Sequence, residues 1–274
     1  QYAFICLSKK TSAHWILEGD IKGCFDNISH EWLLDNIPMD KTILKQFLKA
    51  GYVYNRHLNH TKSGTPQGAI ISTVLANMTL DGMEKTIASR YHINKRGKID
   101  KRRCNHHKVN FVRYADDFIV TAESEETAKE IVELIKDFLK ERGLELSAEK
   151  THITHIDVGF DFLGWHFRKY KGKLLIKPSK KSIDNATRKV GDIIKRAKAW
   201  KQADLIDALN PIILGWSNYH RTVVSKKVFN NMDHRMWNML WKWGKRRHPH
   251  KSRTWVSSKY WHTAGSRKWV VFTE

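Results

Sequence analysis

The chain has 274 residues, with 49 lysines and arginines against 28 aspartates and glutamates, a net charge of +21 and a pI of about 9.9. A basic excess of this size favours a polyanionic partner, because phosphates relieve the self-repulsion of a compact cationic fold. Three cysteines without paired-ligand spacing and the lack of a long apolar run argue against a disulfide scaffold, a zinc module and a membrane-spanning protein. The length suffices for two packed domains.

The first informative acid is Asp20. A short apolar strand beginning at Trp15 runs into Asp20, and the strand pattern breaks at Gly23. Asp26 follows six residues later and competes for the same role, but the pattern favours Asp20 as the acid at the strand end.

A glycine- and proline-containing loop, Ser63 to Gly68, precedes an apolar run from Ala69 to Met83. This pattern predicts a loop that enters a helix. Unpaired amides at a helix start suit phosphate groups, although the same pattern also fits a plain helix-capping loop.

Alternating apolar residues on both sides of Tyr114-Ala115-Asp116-Asp117 predict two paired strands with the acids at their turn. Aspartate is common in solvated turns, so the pair alone has an ordinary explanation. Together with Asp20, however, these carboxylates could share two divalent cations about 4 Å apart, the arrangement used for in-line phosphoryl transfer. Magnesium suits such a site because it prefers carboxylates, water and substrate phosphates.

The later part of the chain shows further regular patterns. They predict, in order, an amphipathic helix over 125–142 ended by Gly143, a strand and turn over 144–150, a hairpin that turns through 169–172, three helices over 182–200, 202–220 and 228–247, and a basic β-like tail. The alternation of strands and helices gives way to helices alone after about Pro178. We therefore predict three regions, 1–178, 179–249 and 250–274.

Six motifs in this order resemble the reverse transcriptases encoded by group II introns, also called maturases. They are Glu18 to Ile28, Gly64-Thr65-Pro66-Gln67-Gly68, Tyr114 to Asp117, Gly143 to Ser147 with Lys150-Thr151, Phe162-Leu163-Gly164-Trp165, and Leu209 to His220. They span nearly the whole chain. Ala69 and the residues after it depart from the form of many relatives, and the departure is conservative.

The resemblance implies an α+β fold: a reverse-transcriptase palm with an antiparallel sheet, followed by a three-helix thumb or maturase X region. It also implies roles at the catalytic centre. Asp20, Asp116 and Asp117 would be catalytic and hold two Mg²⁺ ions, with the backbone of Ile21 contacting metal and triphosphate. Lys150 would be a proton donor to the leaving group, although it also fits a solvated surface lysine.

Further roles implied by the resemblance concern substrate. Phe25 would exclude a 2′-hydroxyl on the incoming sugar, although it also fits an ordinary core phenylalanine. Gln67, Gly68 and Tyr114 would contact substrate, and Phe162, Leu163, Gly164 and Trp165 would grip the primer's 3′ end.

The function expected from the resemblance is an RNA-directed DNA polymerase of a mobile group II intron, with a role in RNA splicing. Its partners would be an RNA template, intron RNA, a DNA primer or target and dNTPs, in the cytoplasm of a bacterium or in an organelle. Two alternatives stay open: a non-catalytic RNA-binding splicing maturase, and a retron or diversity-generating reverse transcriptase. The resemblance also leads us to expect that amino-terminal fingers and a carboxy-terminal HNH nuclease lie outside this sequence.

Overall fold

A computed structural model describes residues 1–50, 52–54, 57–59, 63–65, 70–264 and 267–271. The chain forms two compact units: Gln1–Phe162 with Arg168–Leu174, and Leu163–Phe167 with the chain from Leu175 onward. The first unit mixes helices with an antiparallel sheet, and the second is mainly helical, which confirms the predicted fold class. The three-region division with boundaries after 178 and 249 stays a prediction.

The first unit contains most of the strands. Its elements are α1 (Tyr2–Leu7), β1 (Trp15–Gly19), α2 (Cys24–Asn27), α3 (His30–Asn36), α4 (Lys41–Lys49), β2 (Tyr52–Tyr54), β3 (His57–Asn59), α5 (Ile70–Leu80), α6 (Met83–Tyr91), β4 (Asn110–Tyr114), β5 (Asp117–Ala122), α7 (Glu125–Lys140), β6 (His152–His155) and β7 (Phe160–Phe162). Next come β8 (Trp165–Tyr170) and β9 (Lys173–Pro178), whose residues are divided between the two units. The predicted hairpin is confirmed, with its turn at Lys171-Gly172.

The main sheet of the first unit has the strand order β4-β5-β1-β6 and is antiparallel throughout. Its middle strands, β1 and β5, are mostly apolar and mostly buried, so they contribute to the centre of the core. Gly19 pairs with Phe118, and a Cβ at Gly19 would lie 2.1 Å from the Phe118 ring. A glycine is therefore required where β1 reaches the end of the sheet.

The helix predicted over 125–142 is α7. Ser124 caps its first turn by accepting a hydrogen bond from the Thr127 amide, and Ile131, Ile135 and Leu139 are buried at helical spacing. The amphipathic pattern of the sequence thus predicted both the helix and its buried face.

The strand predicted over 144–147 is wrong. This segment forms a single β-bridge, between Ile21 and Leu146. The pairing is cut short because a turn begins at once, with the amides of Lys150 and Thr151 both donating to the Ser147 carbonyl.

The second unit contains α8 (Lys180–Arg196), α9 (Gln202–His220), α10 (Lys226–Arg247), α11 (Arg253–Tyr260), β10 (Trp261–Ala264) and β11 (Arg267–Val271). The first three are the predicted helices. They share an apolar core that includes Val190, Leu205 and Trp243. Within the described ranges, no helix is both long and apolar enough to cross a membrane.

The tail predicted to be β-like begins instead with a helix, α11. Ser252 accepts a hydrogen bond from the Trp255 amide and starts the helix, and Val256 and Tyr260, four residues apart, are buried in the core. Helical burial of this pair outweighs the extended conformation that we expected. The β10-β11 hairpin follows it.

Candidate active site

The two adjacent acids lie at the turn between β4 and β5. Tyr114 pairs with Asp117, so Ala115 and Asp116 form the turn itself. Asp116 is half-buried and Asp117 is exposed. Ala115 has a φ of +54°, a left-handed conformation that is unfavourable for a residue with a side chain.

The strand register brings the third acid to the same end of the sheet. Gly19 is the last residue of β1 and pairs with Phe118, the neighbour of Asp117. Asp20 follows directly, so an antiparallel continuation sets it beside the turn that carries Asp116 and Asp117. The pairing of β1 with β5 and of β4 with β5 therefore brings all three predicted catalytic acids to the same end of the sheet.

Arg113 holds the turn of the acids. Its guanidinium donates to the Ala115 carbonyl at 3.0 Å, to the Asn77 side chain at 3.0 Å and to Asp81 at 3.1 Å. The Arg113 side chain is largely buried, and its planar fork allows these bonds to form together. Arg113 therefore ties the strained turn to the helix α5 and the residue that follows it.

Asp20 is held by a backbone contact and a side-chain contact. The Ser147 amide donates to the Asp20 carbonyl at 2.8 Å, while Lys150 Nζ lies 3.1 Å from Asp20 Oδ2. The neighbouring Ile21 is buried and bridges to Leu146. The predicted proton donor, Lys150, is thus in direct contact with a predicted catalytic acid.

Two pKa shifts describe the electrostatics of this region. Burial, reinforced by the negative charge of Asp116, raises the pKa of the Cys24 thiol to about 12, while Arg113 opposes the shift. Cys24 is therefore a neutral thiol and not a nucleophile at physiological pH. Burial also raises the pKa of Glu18 to about 7, although hydrogen bonds from the Asp161 backbone and Thr154 counteract it.

The segment 63–65 is fastened to the backbone around Phe25. The Thr65 amide donates to the Phe25 carbonyl at 2.6 Å, and the Gly64 amide donates to the Ile28 carbonyl at 2.9 Å. Gly64 has a φ of +76°, and a Cβ there would lie 2.3 Å from the Phe25 carbonyl oxygen. This close approach fixes the position of the half-buried Phe25.

Other predicted substrate contacts have different outcomes. Gln67 and Gly68 lie outside the described residues. The Tyr114 side chain is exposed at the end of β4.

The donor chemistry of the three carboxylates fits a hard divalent cation, which prefers oxygen ligands. Within the part of the chain that the structure describes, however, no group of three or more His, Cys, Asp or Glu side chains is gathered closely enough to hold an ion. Lys150 instead supplies the positive charge next to Asp20. An entering cation would have to displace or share this contact.

The predicted primer-grip residues are divided between the units: Phe162 belongs to the first, and Leu163, Gly164 and Trp165 belong to the second. Leu163 has a φ of +50°. The Tyr219 hydroxyl donates to the Leu163 carbonyl at 2.7 Å, and the Tyr219 ring stacks on Trp165 with centroids 4.6 Å apart. Tyr219 therefore secures both ends of this turn.

A partly buried polar network adjoins the same turn. Ser182 Oγ is 2.9 Å from His220 Nε2 and accepts a hydrogen bond from Trp216 Nε1 at 3.0 Å. The Ser179 amide donates to the Gly164 carbonyl at 2.9 Å. Burial lowers the pKa of His220 below its usual value, so the imidazole is neutral at pH 7.

Sequence reasoning missed Arg113 and Tyr219 as positioning residues. Arg113 stood next to the acids, and an arginine in an otherwise apolar strand was a usable signal. Tyr219 carried no such signal, because its partner Leu163 is 56 residues away.

Comparison with known proteins identifies two family matches. Residues 3–167 match the family model described as reverse transcriptase (RNA-dependent DNA polymerase). Residues 183–261 match the model described as group II intron, maturase-specific domain.

Individual relatives agree with these matches. The chain is 33% identical over 210 residues to the group II intron-encoded protein LtrA of Lactococcus lactis subsp. cremoris, covering 57% of this chain and 35% of LtrA. It is 28% identical over 208 residues to a putative COX1/OXI3 intron 2 protein of Saccharomyces cerevisiae, covering 58% of this chain and 24% of that protein. This chain thus spans about a third or less of the length of these relatives.

Among solved structures, a telomerase from Candida albicans with a fragment of telomeric RNA aligns with a TM-score of 0.46 and 12% identity, covering 89% of this chain and 49% of that one. The family assignment depends on the sequence models. Because the reverse-transcriptase model covers more than half of the chain and the maturase-specific model follows it, this chain belongs to the reverse transcriptases of the group II intron-encoded, or maturase, type.

Proposed function

We propose that this chain is an RNA-directed DNA polymerase that extends a primer on an RNA template. The observation that carries the proposal is the strand register, which brings Asp20 to the end of the sheet where the turn holds Asp116 and Asp117. Three acids at one end of the sheet have little use in a basic RNA-binding protein unless cations and a triphosphate join them. Membership of the reverse transcriptase family supports the same reading.

Asp20, Asp116 and Asp117, with the Ile21 carbonyl, would hold two Mg²⁺ ions. When bound, the ions would lower the pKa of the primer 3′-hydroxyl and neutralise charge on the triphosphate. The chain's own contribution is alignment: Arg113 and Ser147 hold the two parts of the backbone that carry the acids. Lys150, which contacts Asp20 at 3.1 Å, would give a proton to the departing pyrophosphate.

Substrate selection would depend on Phe25, whose backbone is fixed by Gly64 and Thr65. A rigid aromatic ring can exclude a sugar with a 2′-hydroxyl only if it cannot move away. The turn of Leu163 to Trp165 would hold the primer end, and Gln67, Gly68 and Tyr114 would contact the template, the nascent pair or the incoming dNTP.

A role in intron RNA binding and splicing is the second part of the proposal. The match of residues 183–261 to a maturase-specific domain supports it, as does the net charge of +21. A purely RNA-binding maturase and a retron-like or diversity-generating polymerase are the competing functions. Only the first of these would leave the acids without a purpose.

Primer extension on an RNA template with Mg²⁺ and dNTPs tests the polymerase. Asp116→Asn should reduce DNA synthesis by at least about a hundredfold, because it removes a negative carboxylate that would hold the Mg²⁺ ions. RNA affinity should change little. Asp137→Asn is the matched control, since it removes an exposed acid of α7. Equal synthesis by wild type and Asp116→Asn would refute the assignment, and RNA binding without any synthesis would favour the purely RNA-binding maturase.

Sugar selection has its own test. Phe25→Ala should allow ribonucleotide incorporation while dNTP incorporation continues. Unchanged discrimination between dNTPs and rNTPs would remove Phe25 from the sugar-selection role.

A further inference from the structure

A cavity of about 290 Å³ lies between α8 and α10 in the second unit; we call it the α8/α10 cavity. Arg188, Gly191 and Lys195 line it from α8 at positions three and four residues apart, so they share one face of that helix. Lys242 and Arg246 line it from α10 with the same relationship. This is the spacing of a helix stripe that normally packs against its neighbour with apolar residues.

The rim of the cavity is cationic. Arg188, Lys195, Lys242 and Arg246 are all exposed, whereas the lining residues that the structure describes include a single acid, Asp192. Its carboxylate is 3.9 Å from Lys195 Nζ, and both side chains are more than half exposed, so this pair neutralises little. Like charges on two packed helices are unfavourable unless an anion joins them.

The floor of the cavity is apolar and fixed. Trp243 is buried, and its Nε1 donates to the Ala197 carbonyl at 2.7 Å, which locks the indole in place. Gly191 has no side chain to fill the space, and a Cβ there would only reach ordinary contact with Met239 Sδ at 3.6 Å. Glycine is unfavourable inside a helix, and at this position it leaves the space beside Met239 open.

We propose that the α8/α10 cavity binds one unpaired nucleotide of an RNA strand, with its base against the Met239 and Trp243 floor and the flanking phosphates on the cationic rim. The volume is just below the roughly 300–1,000 Å³ of small-ligand sites, which suits a single nucleotide and is too small for a helix or a folded peptide. Apolar floors and cationic tracks are how proteins hold single strands. The choice of RNA depends on the proposed function, in which RNA is the partner of this unit.

The test uses the 274-residue chain and a short single-stranded oligoribonucleotide that carries one 4-thiouridine, with an RNA duplex of the same length for comparison. Binding is followed by fluorescence anisotropy, and photo-crosslinked peptides are mapped by mass spectrometry. Wild type should crosslink within 187–195 or 239–246 with the single strand and far less with the duplex.

Gly191→Leu fills the cavity without changing charge. It should reduce the crosslink yield and raise the single-strand Kd by roughly tenfold. The duplex Kd should change by less than about twofold. Gly191→Ala is the steric control, because its added Cβ makes only ordinary contact, and it should bind as wild type.

The rim is tested by the double variant Lys242→Gln/Arg246→Gln. It should weaken single-strand binding and lower the salt slope by about 1.4, the value for two lost phosphate contacts at ~0.7 each. Lys226→Gln/Lys227→Gln removes the same charge from the exposed first turn of α10 and should leave the crosslink in place.

Two results would overturn the cavity assignment. One is a folded Gly191→Leu chain that keeps the crosslink and the affinity of wild type. The other is an equal loss of single-strand and duplex binding, which would indicate a surface contact instead of an inserted nucleotide. If Gly191→Leu fails to fold, the rim variant decides, and an unchanged salt slope and crosslink would reject the site. Failure of the polymerase function alone is distinguishable, because wild type would then extend no primer but would still crosslink the single strand within 187–195 or 239–246.

Discussion

Two turns in this molecule have the same strain and different anchors. Ala115, in the turn of the acids, has a φ of +54°, and Leu163, in the predicted primer-grip turn, has a φ of +50°. In each turn the carbonyl of the strained residue accepts a hydrogen bond from a long side chain: Arg113, two residues away, in the first, and Tyr219, 56 residues away, in the second. Both strained conformations are maintained by surrounding contacts, as is common at functional sites, but one anchor is local and the other is tertiary.

The two turns should respond differently when the side chain that holds them, Arg113 or Tyr219, is removed. The turn of the acids belongs to a hairpin whose strands pair over five positions, so losing the anchor should misplace a carboxylate without unfolding the sheet. The Leu163 turn depends on α9 for its shape. Losing its anchor should change the turn and the packing of that helix together.

The largest effect is expected for Arg113→Met, which breaks the local anchor. The substitution removes hydrogen bonds to Ala115, Asn77 and Asp81, and small misplacements of catalytic groups can reduce rates by about a hundredfold. Primer extension should fall by about that factor, and a Mg²⁺ titration should show a higher requirement for the ion. Arg90→Met, an exposed charge on α6, is the control; an unchanged Mg²⁺ requirement in Arg113→Met would show that Arg113 does not position the acids.

Tyr219→Phe breaks the tertiary anchor with a smaller expected effect. It removes the hydrogen bond to the Leu163 carbonyl and keeps the stack on Trp165, so it should destabilise the chain by ~0.5–1.5 kcal/mol in urea unfolding. Tyr219→Leu should lose about 0.5–1.5 kcal/mol more because the aromatic stack is also lost. The primer KM should rise more than kcat falls, and a change confined to kcat would contradict a role in holding the primer.

The strain itself can be relieved at both turns. Ala115→Gly should raise the free energy of unfolding by up to about 1 kcal/mol, the lower end of the penalty for a side chain in the left-handed region. Leu163→Gly should gain less, because it also removes the side chain of a half-buried leucine. Equal gains in thermal unfolding at the two sites would show that the Leu163 side chain contributes nothing to packing.

The smallest effect is a pH dependence confined to the second turn. Burial lowers the pKa of His220, so below the unfolded-state value of ~6.5 the unfolded chain binds a proton that the folded chain does not. This contribution to stability is complete above pH ~6.5 and is lost as the pH falls towards the lower folded pKa. His220→Gln should flatten the slope of Tm between pH 7.5 and 5.5, whereas the exposed control His234→Gln should keep it.

The features that could be predicted from sequence depend on local contacts, and those that could not depend on tertiary contacts. The β4-β5 hairpin, Asp20 at the strand end and the amphipathic α7 depend on patterns within a few residues, and each was predicted correctly. The strand at 144–147 and the extended start of the tail were wrong because a turn at Ser147 and the burial of Val256 and Tyr260 depend on their surroundings. No pattern in the sequence links Tyr219 to Leu163 or Arg113 to Asp81, since those contacts exist only after folding.

The pairing of Lys150 with Asp20 has a consequence for the order of folding and cofactor binding. Some metal sites are assembled only when the ion arrives, and chelators then unfold the protein. Here the Lys150 ammonium group already lies 3.1 Å from the Asp20 carboxylate. This end of the sheet can therefore fold without an ion, and a metal ion could replace the ammonium group beside Asp20 afterwards. We therefore expect the Tm of this chain to be the same with and without a chelator, and any divalent ion to bind after the chain has folded.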